Sequence, residues 1–151
     1  MSVQVKRPGI SPARLRRVVS HVMRREGASR RAAISIALVN DPAMRWLNRR
    51  HLGKDRATDV LAFPLYESSK EGWRLPKVAA ASQLGEVVVC VDRARVQAGE
   101  AGHRLGTEVA LLAVHGVLHL LGHNDHSRRA GDRMMRRART LLAEAGEKVK
   151  G

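Results

Sequence analysis

The sequence predicts a single α+β domain with a mixed central β-sheet flanked by helices. Its length of 151 residues is that of one domain, so we expect residues 1–151 to fold around one core. Three short apolar runs have the length of buried strands, and segments with apolar residues at helical spacing lie between and after them. Strands and helices in this order typically form a sheet that the helices cover.

Capping patterns locate the first two helices. Ser11 followed by proline predicts a helix start, because a serine side chain accepts a free backbone N–H and proline fits the first turn. This helix is expected to end at Gly27. The same pattern recurs at Asn40 and predicts a second helix through about Arg50.

Apolar runs and helical periodicity predict the remaining elements. The segment 66–84 contains glycine, proline and serine with little periodicity, so we expect a surface loop there. The predicted strands are residues 32–39, Thr58–Phe63 and Gly85–Val91, and the predicted later helices are roughly 92–102, 106–121 and 127–146.

The chain carries a large excess of positive charge. Lys and Arg number 28 against 14 acidic residues, which gives a formal net charge of +14. A basic surface attracts polyanions, because each phosphate that it neutralises releases condensed counterions. We therefore expect a nucleic acid as partner.

Nothing in the sequence predicts a disulfide or a membrane segment. Cys90 is the single cysteine and lies in the apolar run Val87–Val91, which predicts a buried thiol. The N-terminus lacks the apolar core of a signal peptide, and no apolar stretch approaches the roughly 18 residues of a membrane span. We expect a cytoplasmic protein that does not contact a membrane.

A histidine cluster predicts a metal site. His115 and His119 are four residues apart in a predicted helix, so their imidazoles project from one face about one turn apart. Gly122 can end the helix and turn the chain back, which brings His123 or His126 towards the same ion. Three protein ligands with one open position are typical of a catalytic zinc site.

The residue between the two histidines separates this motif from that of zinc proteases. In those enzymes a glutamate follows the first histidine and acts as general base, whereas this chain has Gly116. Another carboxylate would have to handle the proton, and Asp59, Glu86 and Asp125 are the candidates. Glu108, two turns before His115, is expected either to support the site or to be solvated. The sequence does not assign the catalytic base.

The segment that carries the histidines resembles the signature of the YbeY family of bacterial rRNA-maturation endoribonucleases. The resembling segments, in chain order, are Leu47-Asn48, Gly53-Lys54-Asp55, Thr58–Pro64, Leu84–Cys90 and His115–Gly122 with Asp125-His126. The resemblance implies a mixed sheet flanked by helices, one Zn²⁺ bound by three histidines, and hydrolysis of single-stranded RNA. It also implies a role in small-subunit rRNA maturation and ribosome quality control, with the ribosome as partner.

Two positions depart from the family pattern. The family's third histidine lies six residues after the second, and here that position is Asp125, so one residue is inserted. We therefore predict His115, His119 and His126 as the metal ligands, with His123 or Asp125 as the alternative third ligand. The family also often has an arginine where this chain has Leu52, a role that a neighbouring arginine could take over.

The final predicted helix has an apolar stripe, so its arginines, Arg137 among them, are expected to line the outward side, which favours phosphate contact near the metal loop. The leading interpretation is a zinc-dependent endoribonuclease. A ribosome-associated RNA-binding factor with a structural zinc is the second interpretation, and a metalloprotease is the third.

Overall fold

The computed structural model describes residues 1–65 and 83–149, so the loop predicted over 66–84 lies almost wholly outside the described residues. The elements in chain order are β1 (Ser2–Val3), α1 (Pro12–Arg25), β2 (Ala33–Val39), α2 (Asp41–Leu52), β3 (Val60–Pro64), β4 (Gln83–Cys90), α3 (Val91–Ala101), α4 (Leu105–Leu120) and α5 (Arg128–Glu144).

The strands form one mixed sheet in the order β1-β2-β4-β3, which confirms the predicted fold class. Strands β1 and β4 are both parallel to β2, and β3 pairs with β4 in the antiparallel direction. Strand β1 was not predicted, because its two exposed residues are too few to show any periodicity. Predicted strand Thr58–Phe63 begins later and includes Pro64, which is tolerated because β3 lies at the sheet edge.

Both predicted caps are present. The Ser11 hydroxyl accepts a hydrogen bond from the backbone N–H of Arg14 at 3.1 Å, and the Asn40 side chain accepts one from Ala43 at 3.0 Å. Helix α2 ends at Gly53, whose φ of 68° is the left-handed conformation that glycine adopts without strain. These local contacts fix where α1 and α2 begin relative to the sheet.

Helices cover both faces of the sheet. Residues of β2 alternate between the faces, so that Ile36 and Leu38 join the main core with α1, α4 and α5. Ala37 and Val39 face the other side, where Met44 of α2 belongs to a smaller apolar cluster. Helix α4 lies in the main core and is buried along most of its length, so its last turn holds the histidines in a fixed place.

None of the helices within residues 1–65 and 83–149 is both long enough and apolar enough to cross a membrane.

Candidate metal centre

His115 and His119 lie side by side in the last turns of α4. Their rings approach edge to face with centroids 4.8 Å apart, as expected for residues one turn apart on one helix face. The helix ends directly after them, and Gly122 has a φ of 103° that turns the chain back. The N–H of His123 then bonds to the carbonyl of Leu118 at 3.0 Å, which closes the turn beside the two histidines.

Asp125 completes a group that could hold a metal ion. Ligand atoms of His115, His119 and Asp125 all lie within 4.8 Å of one another. Nε2 of His119 is 3.6 Å from a carboxylate oxygen of Asp125. The two histidines are half-buried and Asp125 is exposed, so the group opens to solvent on the side of the loop. This openness leaves room for a water molecule or a substrate atom.

The described residues place the other candidate ligands differently. His126 is exposed and does not belong to the group of His115, His119 and Asp125. Its backbone N–H donates to the Asn124 side chain at 3.2 Å. His126 as third ligand therefore stays a prediction. His123 has a different partner, because its Nε2 lies 3.2 Å from a carboxylate oxygen of Glu26.

The chemistry of His115 fits a bound cation. Its Nδ1 is buried and has no hydrogen-bond partner among the described residues, a condition that costs free energy. Burial lowers the pKa of His115 and the neighbouring His119 lowers it further, so the ring is neutral near pH 7. A neutral imidazole is the form that coordinates a metal, and a bond to the metal takes the place of a hydrogen bond at the coordinating ring nitrogen.

Glu26 anchors the loop that follows α4. It caps the C-terminal end of α1 and accepts hydrogen bonds from His123 and, at 2.8 Å, from Nε of Arg137 in α5. Burial raises the pKa of Glu26, but the hydrogen bonds from Arg137 and His123 outweigh it and hold the pKa below its usual value. Arg137 thus faces a carboxylate, which corrects the expectation that all arginines of the last helix line its outward side. Glu26 could not be recognised from the sequence, because it lies 97 positions from His123 and no local pattern links the two residues.

The two other candidate carboxylates, Asp59 and Glu86, differ in their surroundings. Asp59 lies just before β3, where its oxygens accept hydrogen bonds from the N–H of Val60 and from Gln97. Glu86 is exposed on β4.

Glu108 is neither a support of the histidine pair nor solvated. Its side chain is buried in the first turn of α4 and bonds to the buried side chain of His103, so both parts of that expectation were wrong. A carboxylate in the first turn also interacts favourably with the positive end of the helix dipole.

Gly116 faces the sheet, which explains why no general base stands at this position. A Cβ atom at residue 116 would lie 2.5 Å from Cγ1 of Val87 and 3.3 Å from Cγ2 of Val60. The glycine therefore lets α4 pack directly on β3 and β4. A glutamate here would point into the core rather than towards the histidines.

A second group of possible ligands, formed by Asp41, Cys90 and Asp92, is satisfied without a metal. Cys90 is buried, which confirms the prediction of a buried thiol. Burial raises the pKa of this thiol to about 12, so the thiol is protonated near pH 7. The thiol donates to Asp41 at 3.1 Å, and Asp92 accepts the backbone N–H of Asp41 at 2.7 Å. This group fastens the start of α2 to the start of α3.

Comparisons with known proteins agree on one family. A sequence model of the family described as "Endoribonuclease YbeY" matches residues 3–146. A protein of that name from Moorella thermoacetica is 41% identical over 87% of this chain and 85% of its own length. Another from Deinococcus radiodurans is 42% identical over 83% of this chain and 76% of its own length.

A solved structure shares the fold. The solution structure of TM1509 from Thermotoga maritima aligns with a TM-score of 0.56 at 23% identity, over 90% of this chain and 87% of that one. At this level of identity the likeness concerns the architecture of sheet and helices alone.

Proposed function

Because the chain belongs to the YbeY family, we propose that it is a metal-dependent endoribonuclease that cleaves single-stranded RNA, with residues 1–151 as one catalytic domain. One observation supports the chemistry most directly. Ligand atoms of His115, His119 and Asp125 converge within 4.8 Å at the solvent-facing end of α4, and the buried Nδ1 of His115 has no hydrogen-bond partner among the described residues.

The metal is Zn²⁺ in this proposal. His115 and His119 would hold it together with a third ligand from the loop after α4. Bound zinc acts as a Lewis acid and lowers the pKa of a bound water from 15.7 towards about 7, which makes a nucleophile available at neutral pH. Imidazole nitrogen and carboxylate oxygen are both ordinary zinc ligands, so the donor set fits this ion.

Asp125 and His126 are neighbours, and we assign them different tasks. His126 is the third ligand, and Asp125, which already lies 3.6 Å from His119, is the proton acceptor at the mouth of the site. Asp59 is less suited to that task, because both of its oxygens already accept hydrogen bonds. Gly116 excludes a base from the position that it has in zinc proteases.

The assignment of the third ligand can be tested by zinc affinity. We expect His126→Ala to weaken zinc binding by more than about 100-fold, because losing even an outer-shell partner typically costs 10–100-fold. Asp125→Asn should retain most of the affinity and lose cleavage. A chelator competition assay on both variants measures this, with His21→Ala as the matched control that leaves zinc affinity within about threefold, because His21 pairs with Glu144 away from the candidate site. The reverse order, with Asp125→Asn losing zinc, would make Asp125 the ligand.

The resemblance supports RNA of the small ribosomal subunit as the substrate, with action on the ribosome in maturation and quality control, in the cytoplasm. The net charge of +14 supports a polyanionic substrate independently of the resemblance.

The reaction itself can be tested with two oligonucleotides. The purified protein should cleave a single-stranded RNA and leave a duplex of the same sequence intact. Chelation should abolish cleavage and added zinc should restore it. Cleavage that survives complete metal removal would refute the metal-dependent mechanism. Salt-sensitive RNA binding without any turnover would instead favour the RNA-binding factor with a structural zinc.

Metalloprotease activity has less support than either, since the structure leaves no space for a glutamate at residue 116.

A further inference from the structure

A basic groove lies on the other side of the sheet from α4, where α2, the loop after α2 and the start of α3 meet. It encloses about 720 Å³, and its lining includes the indole of Trp46 and the side chains of Arg45, Arg49, Arg56 and Arg93. We call it the α2 groove. The metal ligands described above are not among its lining residues.

Trp46 of α2 is exposed and does not take part in packing the helix against the sheet. Helix α2 buries Met44 and Asn48 towards the sheet, and Trp46 lies off that stripe with half of its surface exposed. The guanidinium of Arg50 lies over the indole, with Cζ 5.2 Å from the ring centroid. This cation–π contact holds the ring in place and covers one face of it. The ring is therefore a fixed aromatic surface at the edge of the α2 groove.

The charge of the α2 groove suits a phosphate backbone. Four arginines line it against the two carboxylates of Asp41 and Asp55, which leaves a net charge of +2 (4 minus 2). Three of the four arginines pair with these carboxylates: Arg45 binds Asp55 through two hydrogen bonds of 2.8 and 3.0 Å, Arg49 lies 3.8 Å from Asp55, and Arg93 lies 3.4 Å from Asp41. All three pairs are exposed, so they contribute little to stability and can exchange for a phosphate. Arg56 forms no ion pair with any carboxylate in the described part of the chain. Its charge is therefore available to a phosphate.

Asp59 joins the surroundings of the α2 groove to the strand that packs beneath α4. The loop that carries Arg56 and Ala57 along the groove continues directly to Asp59 and β3. Arg93 lines the groove one turn before Gln97, which donates to Asp59 at 3.2 Å. Strand β3 in turn packs against α4, the helix that carries His115 and His119.

We infer that the α2 groove binds single-stranded RNA, with one base stacked on Trp46 and the adjacent phosphates held by the arginines. Base stacking on an aromatic side chain, combined with a basic groove that follows the backbone, is how proteins bind single strands without reading their sequence. The inference deepens the proposed function and rests on it, because the groove positions the strand that the metal centre cleaves. An unpaired base is required for stacking, so the groove selects single strands over duplexes.

The test compares three substitutions of Trp46 in binding and in cleavage. We expect Trp46→Ala and Trp46→Leu to weaken binding of a fluorescein-labelled single-stranded RNA about 10-fold, and Trp46→Phe to stay within about threefold of wild type, because only an aromatic ring stacks. In cleavage the same variants should raise KM with little change in kcat. Trp46→Leu serves as the matched apolar control, and an unchanged melting temperature shows that each variant is folded.

A second measurement tests the phosphate contacts. Removing one phosphate contact should lower the slope of log affinity against log salt concentration by about 1 unit, so we expect this for Arg56→Ala. Arg30→Ala is the matched control, since Arg30 is exposed near the start of β2 and the groove lies beyond the end of that strand. This control should keep the wild-type slope.

Binding is measured in the His119→Ala background, so it does not depend on turnover. If the wild type cleaves RNA and all Trp46 variants bind and cleave like it, the groove assignment is wrong and the proposed function stands. If the wild type does not cleave RNA but binding still requires an aromatic residue at position 46, the proposed nuclease function is wrong. The proposal that the α2 groove binds RNA would then stand.

Discussion

Replacing His119 by alanine is expected to reduce RNA cleavage by more than about 100-fold, since even outer-shell partners of a metal typically contribute 10–100-fold. His119 lies next to both other members of the candidate site, with its ring 4.8 Å from that of His115 and its Nε2 3.6 Å from Asp125. Its loss would remove one of the proposed ligands, and with it the hold on the ion that would supply the Lewis acid. RNA binding should remain close to wild type, because the basic surface is unchanged.

The matched control is His21→Ala. His21 lies in α1 and pairs with Glu144 at 3.0 Å, so its removal takes away a histidine without touching the candidate metal centre. This variant should cleave RNA at the wild-type rate. Equal cleavage by His119→Ala and wild type, prepared in parallel, would mean that the activity comes from a contaminating nuclease or from another site.

Replacing Gly116 by valine is expected to lower the free energy of unfolding by about 3 kcal/mol, the upper part of the usual range for overpacking. The first added carbon alone would lie 2.5 Å from a methyl group of Val87, a branched side chain with little freedom to move. Helix α4 would have to shift away from the sheet, and this shift would also displace His115 and His119. Chemical denaturation measures the loss of stability, and zinc affinity should fall with it.

Gly99→Val is the matched control for the helix propensity of the new residue. Gly99 lies in α3, and a Cβ atom there would meet nothing within 4 Å. Valine is a slightly better helix former than glycine, so this variant should be as stable as wild type or more stable by a few tenths of a kcal/mol. If both glycine variants had the same stability, the close contact between α4 and the sheet would not exist.

The sequence was informative wherever structure depends on neighbouring residues. Ser11 and Asn40 cap their helices as predicted because a capping side chain reaches only two or three residues along the chain. The pairing of His115 with His119 was equally predictable, since the helix repeat alone brings residues four apart onto one face.

Features that depend on distant parts of the chain were not predictable. The hydrogen bond that joins His123 to Glu26 links residues 97 positions apart, and His123, which the sequence left as an alternative third ligand, lies outside the group of His115, His119 and Asp125. The loop after α4 has no periodicity, so the sequence could not decide which of Asp125 and His126 faces the helix. Strand β1 depends entirely on its parallel pairing with β2, because two residues carry no pattern of their own.

The α2 groove illustrates the same limit in function. The arginines of α2 and the loop after it were visible in the sequence as charge, but their arrangement around an exposed Trp46 follows from the packing of α2 on the sheet. In the last helix, the sequence pattern predicted the wrong position for one arginine. Its Arg137, expected on the outward face, binds Glu26 and holds α5 against the end of α1.

The zinc content of the purified chain tests the account most directly. Elemental analysis of protein expressed with ample zinc and then dialysed should find close to one ion per chain in the wild type. The double variant His115→Ala/His119→Ala should hold almost none while keeping its fold by circular dichroism. A double variant that retains as much zinc as the wild type would show that these imidazoles are not the ligands, and the nuclease mechanism built on them would be wrong.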